Sequence, residues 1–327
     1  MTSNPIAERL YYDASDLEFE ARVTDIRLDS HTVAESGQKE QLWQVALDRT
    51  AFYPGGGGQP CDTGVLIATA RSGAVLEATV ERVEEDESGE VWHFLRKPLP
   101  QGTELLGRVD ADRRMDHAQQ HTGQHLLSAV FFSELGARTT SFHLSPLRIG
   151  TETVTIDLAL QPAQERLSDD ALRRVESSAN RLIYEDRAMR TEWIAREQAE
   201  AMLRRGDLRK LPERTGRMRI VEIAGVEFNA CGGTHVGSTG AIGGVLVRRV
   251  EKAKQGWRVE FCCGLRAVRT AREDFLRISE LARALSVGAQ DVLARVEGLI
   301  ERNKMAAKEQ KALLRELSQA KAAKLVL

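Results

Sequence analysis

The sequence predicts an α+β protein in three parts: a small N-terminal β-barrel over residues 1–108, a central α+β domain with a mostly antiparallel sheet over 109–264, and a helical, coiled-coil segment over 265–327. Three observations predict it. Apolar and charged residues alternate through the first third, segments of helical and strand period mix through the middle, and from Leu265 the composition turns abruptly to helix formers. At 327 residues, 42% hydrophobic and 29% charged, the chain can bury a substantial core spread over two or three domains.

In the first part, Leu17, Phe19, Ala21 and Val23 alternate with charged residues, as do Trp43, Val45 and Leu47, and Leu76, Ala78 and Val80. Period two with one polar face indicates half-buried antiparallel strands, and closing them into a barrel leaves few free edges. Between strands lies Phe52-Tyr-Pro-Gly-Gly-Gly-Gly-Gln-Pro60. Four glycines in a row cost backbone entropy, so this is either a flexible loop or a surface that approaches a ligand closely. Pro98 and Pro100 mark a connection, and Glu104 to Val109 is predicted as the strand leading into the second part.

There, Asp112-Arg-Arg-Met-Asp116 precedes a predicted helix from His121 to Phe132, ended by Leu135-Gly136. Arg113 and Arg114 are either phosphate contacts or a solvated helix start. A strand beginning at Arg138-Thr-Thr-Ser-Phe-His-Leu144 is expected to continue through Val154-Thr-Ile-Asp-Leu158 after a turn near Pro146. Helices are predicted over 168–186, with Ser168 as N-cap, and over Ile194 to Arg204, and strands at Ile220 onward, Gly244 to Val250 and Trp257 to Cys262. Between 204 and 219 seven basic residues face two acidic ones. Such a run is either a solvated face or a site for phosphates.

In the last part, Val268, Phe275, Ile278, Leu281 and Leu285 suggest one helix, broken by Ser286-Val-Gly288. Beyond it, Val292, Val296, Leu299, Asn303, Ala306, Gln310, Leu313, Leu317, Ala320 and Lys324 keep spacings of four and three. Polar residues at Asn303, Gln310 and Lys324 in such a heptad seam set register and partner number at some loss of stability, so intramolecular packing or a homodimer is expected.

The net charge of −2 announces no global attraction to nucleic acid, so any such contact must be local. The first residues lack a basic segment followed by an apolar run, and no stretch of about 18 apolar residues exists, which disfavours secretion and membrane spanning and makes the cytoplasm the default. Four cysteines are too few for a disulfide framework in a chain of this length.

Chemistry concentrates in two short stretches, His121-Thr-Gly-Gln-His125 and Cys231-Gly-Gly-Thr-His235. In a helix, residues four apart share a face, so both imidazoles of the first point the same way. The paired glycines of the second suit a tight loop around an ion. HxxxH alone is common on solvated helices. Its conjunction with CxxxH supplies the four donors of one tetrahedral Zn²⁺ site, with His121, His125, Cys231 and His235 as ligands. A zinc protease is disfavoured, because Thr122 stands where that motif has its glutamate base.

Three ordered motifs now carry a resemblance. The LDRTAFYPGGGGQPCDTG run from Leu47 to Gly64, Arg113-Arg-Met-Asp-His-Ala-Gln-Gln-His-Thr-Gly-Gln-His-Leu-Leu-Ser128 and the CGGTHVGSTGAIG run from Cys231 to Gly243 together resemble the AlaX family of alanyl-tRNA editing proteins, relatives of the editing domain of alanyl-tRNA synthetase. The likeness spans roughly residues 15 to 264. It implies hydrolysis of the ester joining serine, or glycine, to tRNA(Ala), with one zinc per chain and the acceptor end of that tRNA as partner. It places the glycine motif beside the editing pocket, so Gly56, Gly57, Gly58 and Gln59, with Arg113 and Arg114, become substrate-binding candidates. The basic run from Arg204 to Arg219 becomes the patch for the acceptor stem.

An editing site must keep alanine and destroy serine, which differ by one hydroxyl. A pocket built to hydrogen-bond that group rejects the analogue lacking it by as much as ~10⁴-fold. The family uses a hydroxyl residue in this region, which nominates Thr139 and Thr140 without choosing between them; Gln124 joins them as a catalytic candidate, and His143 is either a positioning residue or an ordinary strand histidine. Longer AlaX forms carry a further globular domain after the helices, so that domain is expected to be missing or truncated here. Two other readings compete: a zinc-stabilised tRNA-binding or dimerisation module without activity, and an editing enzyme for threonine tRNA.

Overall fold

A computed structural model of the chain describes residues 6–12, 17–29, 41–70, 72–145, 154–159, 167–213, 216–253 and 256–325. The turn expected near Pro146 lies outside them.

Alternation does build the barrel. Six strands, β1 (Glu18–Asp29), β2 (Leu42–Leu47), β3 (Gly64–Thr69), β4 (Val75–Glu85), β5 (Val91–Leu95) and β6 (Glu104–Val109), close in the order β1-β2-β5-β4-β3-β6 with every pair antiparallel. In β1 the inward set is Phe19, Ala21 and Val23, and they meet Val45, Leu47, Leu66, Val80, Leu95 and Leu105 in a filled interior. One polar ring is buried there. His93 bonds Thr50 Oγ1 at 2.8 Å and the Val45 carbonyl at 3.0 Å, and burial pushes it down to about 4.

The helix expected from His121 begins ten residues earlier. α1 runs Ala111–Leu135, because Asp110 caps it by accepting from Arg113 N, and it stops at Gly136, which adopts the left-handed conformation with φ 62°. Arg113 and Arg114 therefore lie in its first turn. Leu126, Leu127, Val130 and Phe131 of α1 pack with Val175, Ala179 and Ile183 of α2 (Asp169–Tyr184, capped by Ser168). Both helices cover an antiparallel sheet of order β12-β13-β8-β7, formed by β7 (Arg138–Leu144), β8 (Val154–Ala159), β12 (Val245–Ala253) and β13 (Gly256–Cys263).

A second antiparallel sheet holds β9 (Met189–Ile194), β10 (Met218–Ile223) and β11 (Glu227–Ala230) in that order. β9 was not foreseen: its residues Arg190 to Trp193 are all exposed, so no apolar alternation announces an edge strand. The helix predicted from Ile194 is α3 (Arg196–Arg205), whose Ala199 and Met202 pack with Ile194, Met218, Ile220 and Phe228 on one face of this sheet.

Two buried ion pairs fix the start of α1. Arg114 donates to Asp62 Oδ2 (Nε, 3.1 Å) and to the Ala51 carbonyl, binding the helix to the barrel, and Arg266 pairs with Asp116 at 2.6 Å. Contacts divide the chain into compact units of residues 1–267 and 268–327. The second unit contains most of α4 (Gly264–Leu285) and all of α5 (Val292–Leu325). Ser286, with φ 54°, ends α4 where the break was expected. Along α5 the seam residues Leu299, Leu313 and Leu317 are exposed.

Candidate metal centre

His121, His125, Cys231 and His235 come together, their donor atoms all within 4.8 Å of one another. The helix supplies two by periodicity: the His121 and His125 rings stack at 5.0 Å with 16° between planes. The loop after β11 brings the other two, and its glycines explain how. A Cβ on Gly233 would lie 2.2 Å from His121 Cε1, so only a bare backbone lets the loop close over that ring. Gly232 meets nothing within 4 Å and supplies only freedom.

Each ring is held from behind. His121 Nδ1 bonds Gln59 Oε1 at 2.7 Å, His235 Nδ1 bonds Thr122 Oγ1 at 3.3 Å, and His125 bonds the Asn229 side chain. With Nδ1–H of His121 and His235 donating outward, the Nε2 lone pairs turn inward. His121 Nε2 lies 3.3 Å from Cys231 Sγ, while Nε2 of His125 and His235 are buried without a partner among the described residues. A tetrahedral ion with bonds of ~2.0–2.3 Å spaces its donors ~3.3–3.8 Å apart, so the cluster fits one ion after a small inward closure.

The electrostatics agree. Burial, reinforced by neighbouring positive charge, holds His121 and His235 well below the ordinary histidine range and His125 down to about 4, so all three are neutral near pH 7, the form that can donate to a cation. Burial raises the Cys231 thiol against the Gly233 N–H and Arg219 that lower it, and a cation held at the centre would ionise it.

Residues 2–113 match the family described as tRNA synthetases class II (A), and residues 218–260 that described as threonyl and alanyl tRNA synthetase second additional domain. The chain is 32% identical over 318 residues to the alanyl-tRNA editing protein Aarsd1 of Bos taurus, covering 96% of this chain and 67% of that one. It belongs to the alanyl-tRNA editing family. With the editing protein AlaX-L of Pyrococcus horikoshii it shares 34% over 274 residues, covering 82% of this chain and 61% of the relative. It is also 32% identical to an alanine–tRNA ligase of Pyrococcus abyssi, over 96% of this chain but only 32% of the ligase. The chain thus spans about a third of the ligases it matches.

Within this member of the editing family, Thr139 and Thr140 part company. The β7/β8 register shifts between Asp157 and Leu158, leaving Thr140 as the extra residue of a bulge. Thr140 is exposed and bonds the Asp157 carbonyl. Thr139 turns to α1 and donates to Ser128 Oγ at 2.7 Å, where Gln124 Nε2 also arrives at 2.9 Å. Phe142, three residues on, faces the same way and lies 5.3 Å from the His121 ring. His143 is exposed.

Other expected contacts lie elsewhere. Gln59 is not an open substrate contact: it is 3% exposed and ties His121 to the loop through Thr234 Oγ1 (2.9 Å) and Thr234 N (3.2 Å). Gly58 packs on β7, where a Cβ would come 2.6 Å from the Phe142 carbonyl, while Gly56 and Gly57 form the exposed tip. Arg114 is buried against Asp62, and Arg113 donates Nε to the Cys61 carbonyl. Neither guanidinium is simply presented to phosphate.

The basic run also turns partly inward. Arg219 is 6% exposed and donates to the carbonyls of Cys231 (3.0 Å), Gly233 (2.9 Å) and Tyr12 (3.2 Å). Arg209 pairs with Glu227 and reaches the Ser128 carbonyl at 3.3 Å; burial pushes Glu227 up to about 7 despite that partner. The roles of Thr122, Ser128, Arg219, Glu227 and Asn229 at this cluster escaped the sequence reading: Arg219 was assigned to the acceptor-stem patch, and the other types are ordinary in helix and strand. For Thr122 and Ser128, position on the ligand-bearing helix was the one available signal.

Proposed function

We propose that the chain is a trans-editing hydrolase that deacylates Ser-tRNA(Ala), with zinc as its ion, one per chain. The observation that carries this is the four-donor cluster, two of whose histidines share α1 with the Gln124–Ser128 pair that receives Thr139 of β7, in a member of the editing family. Three imidazoles and a thiolate suit zinc, a borderline-soft tetrahedral ion. Four protein donors fill a tetrahedral ion, so zinc bound there would anchor the site and its substrate, and would polarise an oxygen directly only where one donor gives way to it.

The protein's own groups do the rest. Gln59 and Thr122 aim the imidazoles, and Phe142, against which Gly58 of the glycine loop packs, borders the His121 ring. The Thr139 hydroxyl reads the serine hydroxyl; alanine would leave the Thr139–Ser128 pair without its partner, and that difference is the basis of discrimination. By the same reasoning a glycyl ester is released less readily than a seryl one. The acceptor end of tRNA(Ala) is the partner, the cytoplasm is the place of action, and the heptad seam of α5 is a pairing surface for a homodimer. No described helix is long and apolar enough to cross a membrane.

The test is release of serine, glycine and alanine from charged tRNA(Ala), beside metal analysis of the wild type and Cys231→Ala. Release of serine but not alanine, lost together with zinc in the variant, is expected. Binding without release would instead support a zinc-stabilised binding module. Because the second matching family is described for threonyl as well as alanyl synthetases, charged threonine tRNA is the specificity control.

A further inference from the structure

β9, the edge strand invisible to the sequence, carries the second piece of this site. Trp193 stands opposite Arg219 in the β9/β10 register, and Cys231 N continues the row by donating to the Arg219 carbonyl at 3.1 Å. Directly opposed residues of antiparallel strands share a face. Cys231, Arg219 and Trp193 therefore line one face, and two strand spacings of ~4.8 Å set Trp193 roughly 10 Å from the metal ligand.

Trp193 is not a core residue. The residue is 38% exposed, and its ring meets Tyr12 edge-on at 5.2 Å and 78°. Behind Tyr12 the aromatics continue inward through Tyr11 (4.7 Å) to Tyr53 (5.5 Å from Tyr11), whose hydroxyl donates to the Gly56 carbonyl of the glycine loop. Arg219 lies 4.9 Å over the Tyr12 ring while holding the metal loop. The interior of this strip packs on itself; its outer end presents an indole to water. Arg217, exposed, donates to the Trp193 carbonyl and sets one cation beside the indole, while Arg190 and Glu192, both exposed, stand on the strand's other face, where Arg190 pairs with Glu222.

We infer that Trp193, backed by Tyr12, is a stacking platform for an unpaired base of single-stranded RNA, adjoining the aminoacylated nucleotide at the metal centre. This rests on the editing function proposed above. An RNA 3′ end is unpaired, and each base offers a π-face that aromatic side chains bind without regard to sequence, while cations take the phosphates. A span of roughly 10 Å from Cys231 suits the nucleotide or two preceding the esterified one. Trp193 is a binding residue in this scheme and touches no reacting atom.

The experiment has two arms. In the kinetic arm, KM and kcat for serine release are measured for the wild type, Trp193→Ala and Trp193→Tyr. Trp193→Ala should raise KM about 10- to 100-fold with kcat little changed, and Trp193→Tyr should restore most of the loss. In the binding arm, a short single-stranded RNA ending in CCA is titrated against intrinsic fluorescence, with the double-stranded form as control. The wild type should be quenched by the single strand, and Trp193→Phe, which keeps three other tryptophans, should lose that quenching. Unchanged KM in Trp193→Ala, or undiminished quenching in Trp193→Phe, overturns the platform. If Trp193→Ala does not fold, the fluorescence arm decides alone. Should the wild type release no amino acid while its quenching still depends on Trp193, the editing reading fails and the platform stands.

Discussion

The two halves of the metal cluster are built on opposite principles. His121 and His125 belong to one helix, where a four-residue spacing alone stacks their rings, whereas Cys231 and His235 sit on a loop without regular structure. The loop gets its shape from outside: Arg219 of β10 holds two of its carbonyls, Gln59 of the glycine loop holds Thr234, and Thr122 of α1 accepts from Val236 N and bonds His235. Local geometry preorganises one half, and three distant segments preorganise the other. It follows that the loop half is the one more easily broken by residues that never touch the ion.

The largest expected effect tests whether both halves serve one ion. Cys231→Ala and His121→Ala should each reduce bound metal from about one per chain to near none and bring serine release to background, measured by elemental analysis and deacylation. Retention of a full equivalent of metal by either would break the single-site picture.

Next comes the brace. Arg219→Met leaves the Cys231, Gly233 and Tyr12 carbonyls without their donor; the buried Gly233 carbonyl costs ~1–3 kcal/mol and the two part-buried ones about 1 kcal/mol each, so a loss of about 3–5 kcal/mol in urea unfolding is expected. A substitution of equal burial on the helix, Leu126→Met, should cost under ~1.5 kcal/mol.

Specificity lies between these. Thr139→Val should slow serine release by about 10²-fold and leave alanine release as low as before, while Thr140→Val, outside the pocket on its bulge, should change neither. Equal effects of the two would remove the bulge from the argument. Loss of a single orienting bond, in Gln59→Ala or Thr122→Val, should weaken metal affinity by ~10–100-fold with the fold intact, read by competition with a chelating dye.

The smallest effect concerns the barrel. His93 is held near 4 when folded, against 6.5 in the unfolded chain. The unfolded state takes up the proton first, so this contribution is whole above pH 6.5 and is lost as pH falls from 6.5 through 4. Between pH 7.5 and 5.5 stability should drop by about 1.4 kcal/mol on this account, and His93→Gln should flatten the slope.

Much of this molecule was legible because its signals are local. Strand alternation, the four-residue helical period, the Ser168 cap and the Gly136 stop each depend on neighbours in the chain, and they foretold the barrel, α1, α2 and the break before α5. α1 was read ten residues short because its start is polar yet buried: Arg114 and Asp116 have partners, Asp62 and Arg266, that lie 52 and 150 positions away. β9 was missed since an exposed edge strand carries no apolar stripe, and the whole basic run was offered to phosphates because nothing in it says that Arg209 and Arg219 fold inward.

By itself the sequence determined which residues can bind a metal, and on the helix which way they point, since both follow from residue type and a backbone period. Only the tertiary structure decided that Gln59 orients His121, that a bulge turns Thr139 inward and Thr140 outward, and that Trp193 shares a face with Cys231. The reason is physical: these are matters of register and close approach between segments far apart in the chain, and no local preference encodes which atoms meet when two such segments pack.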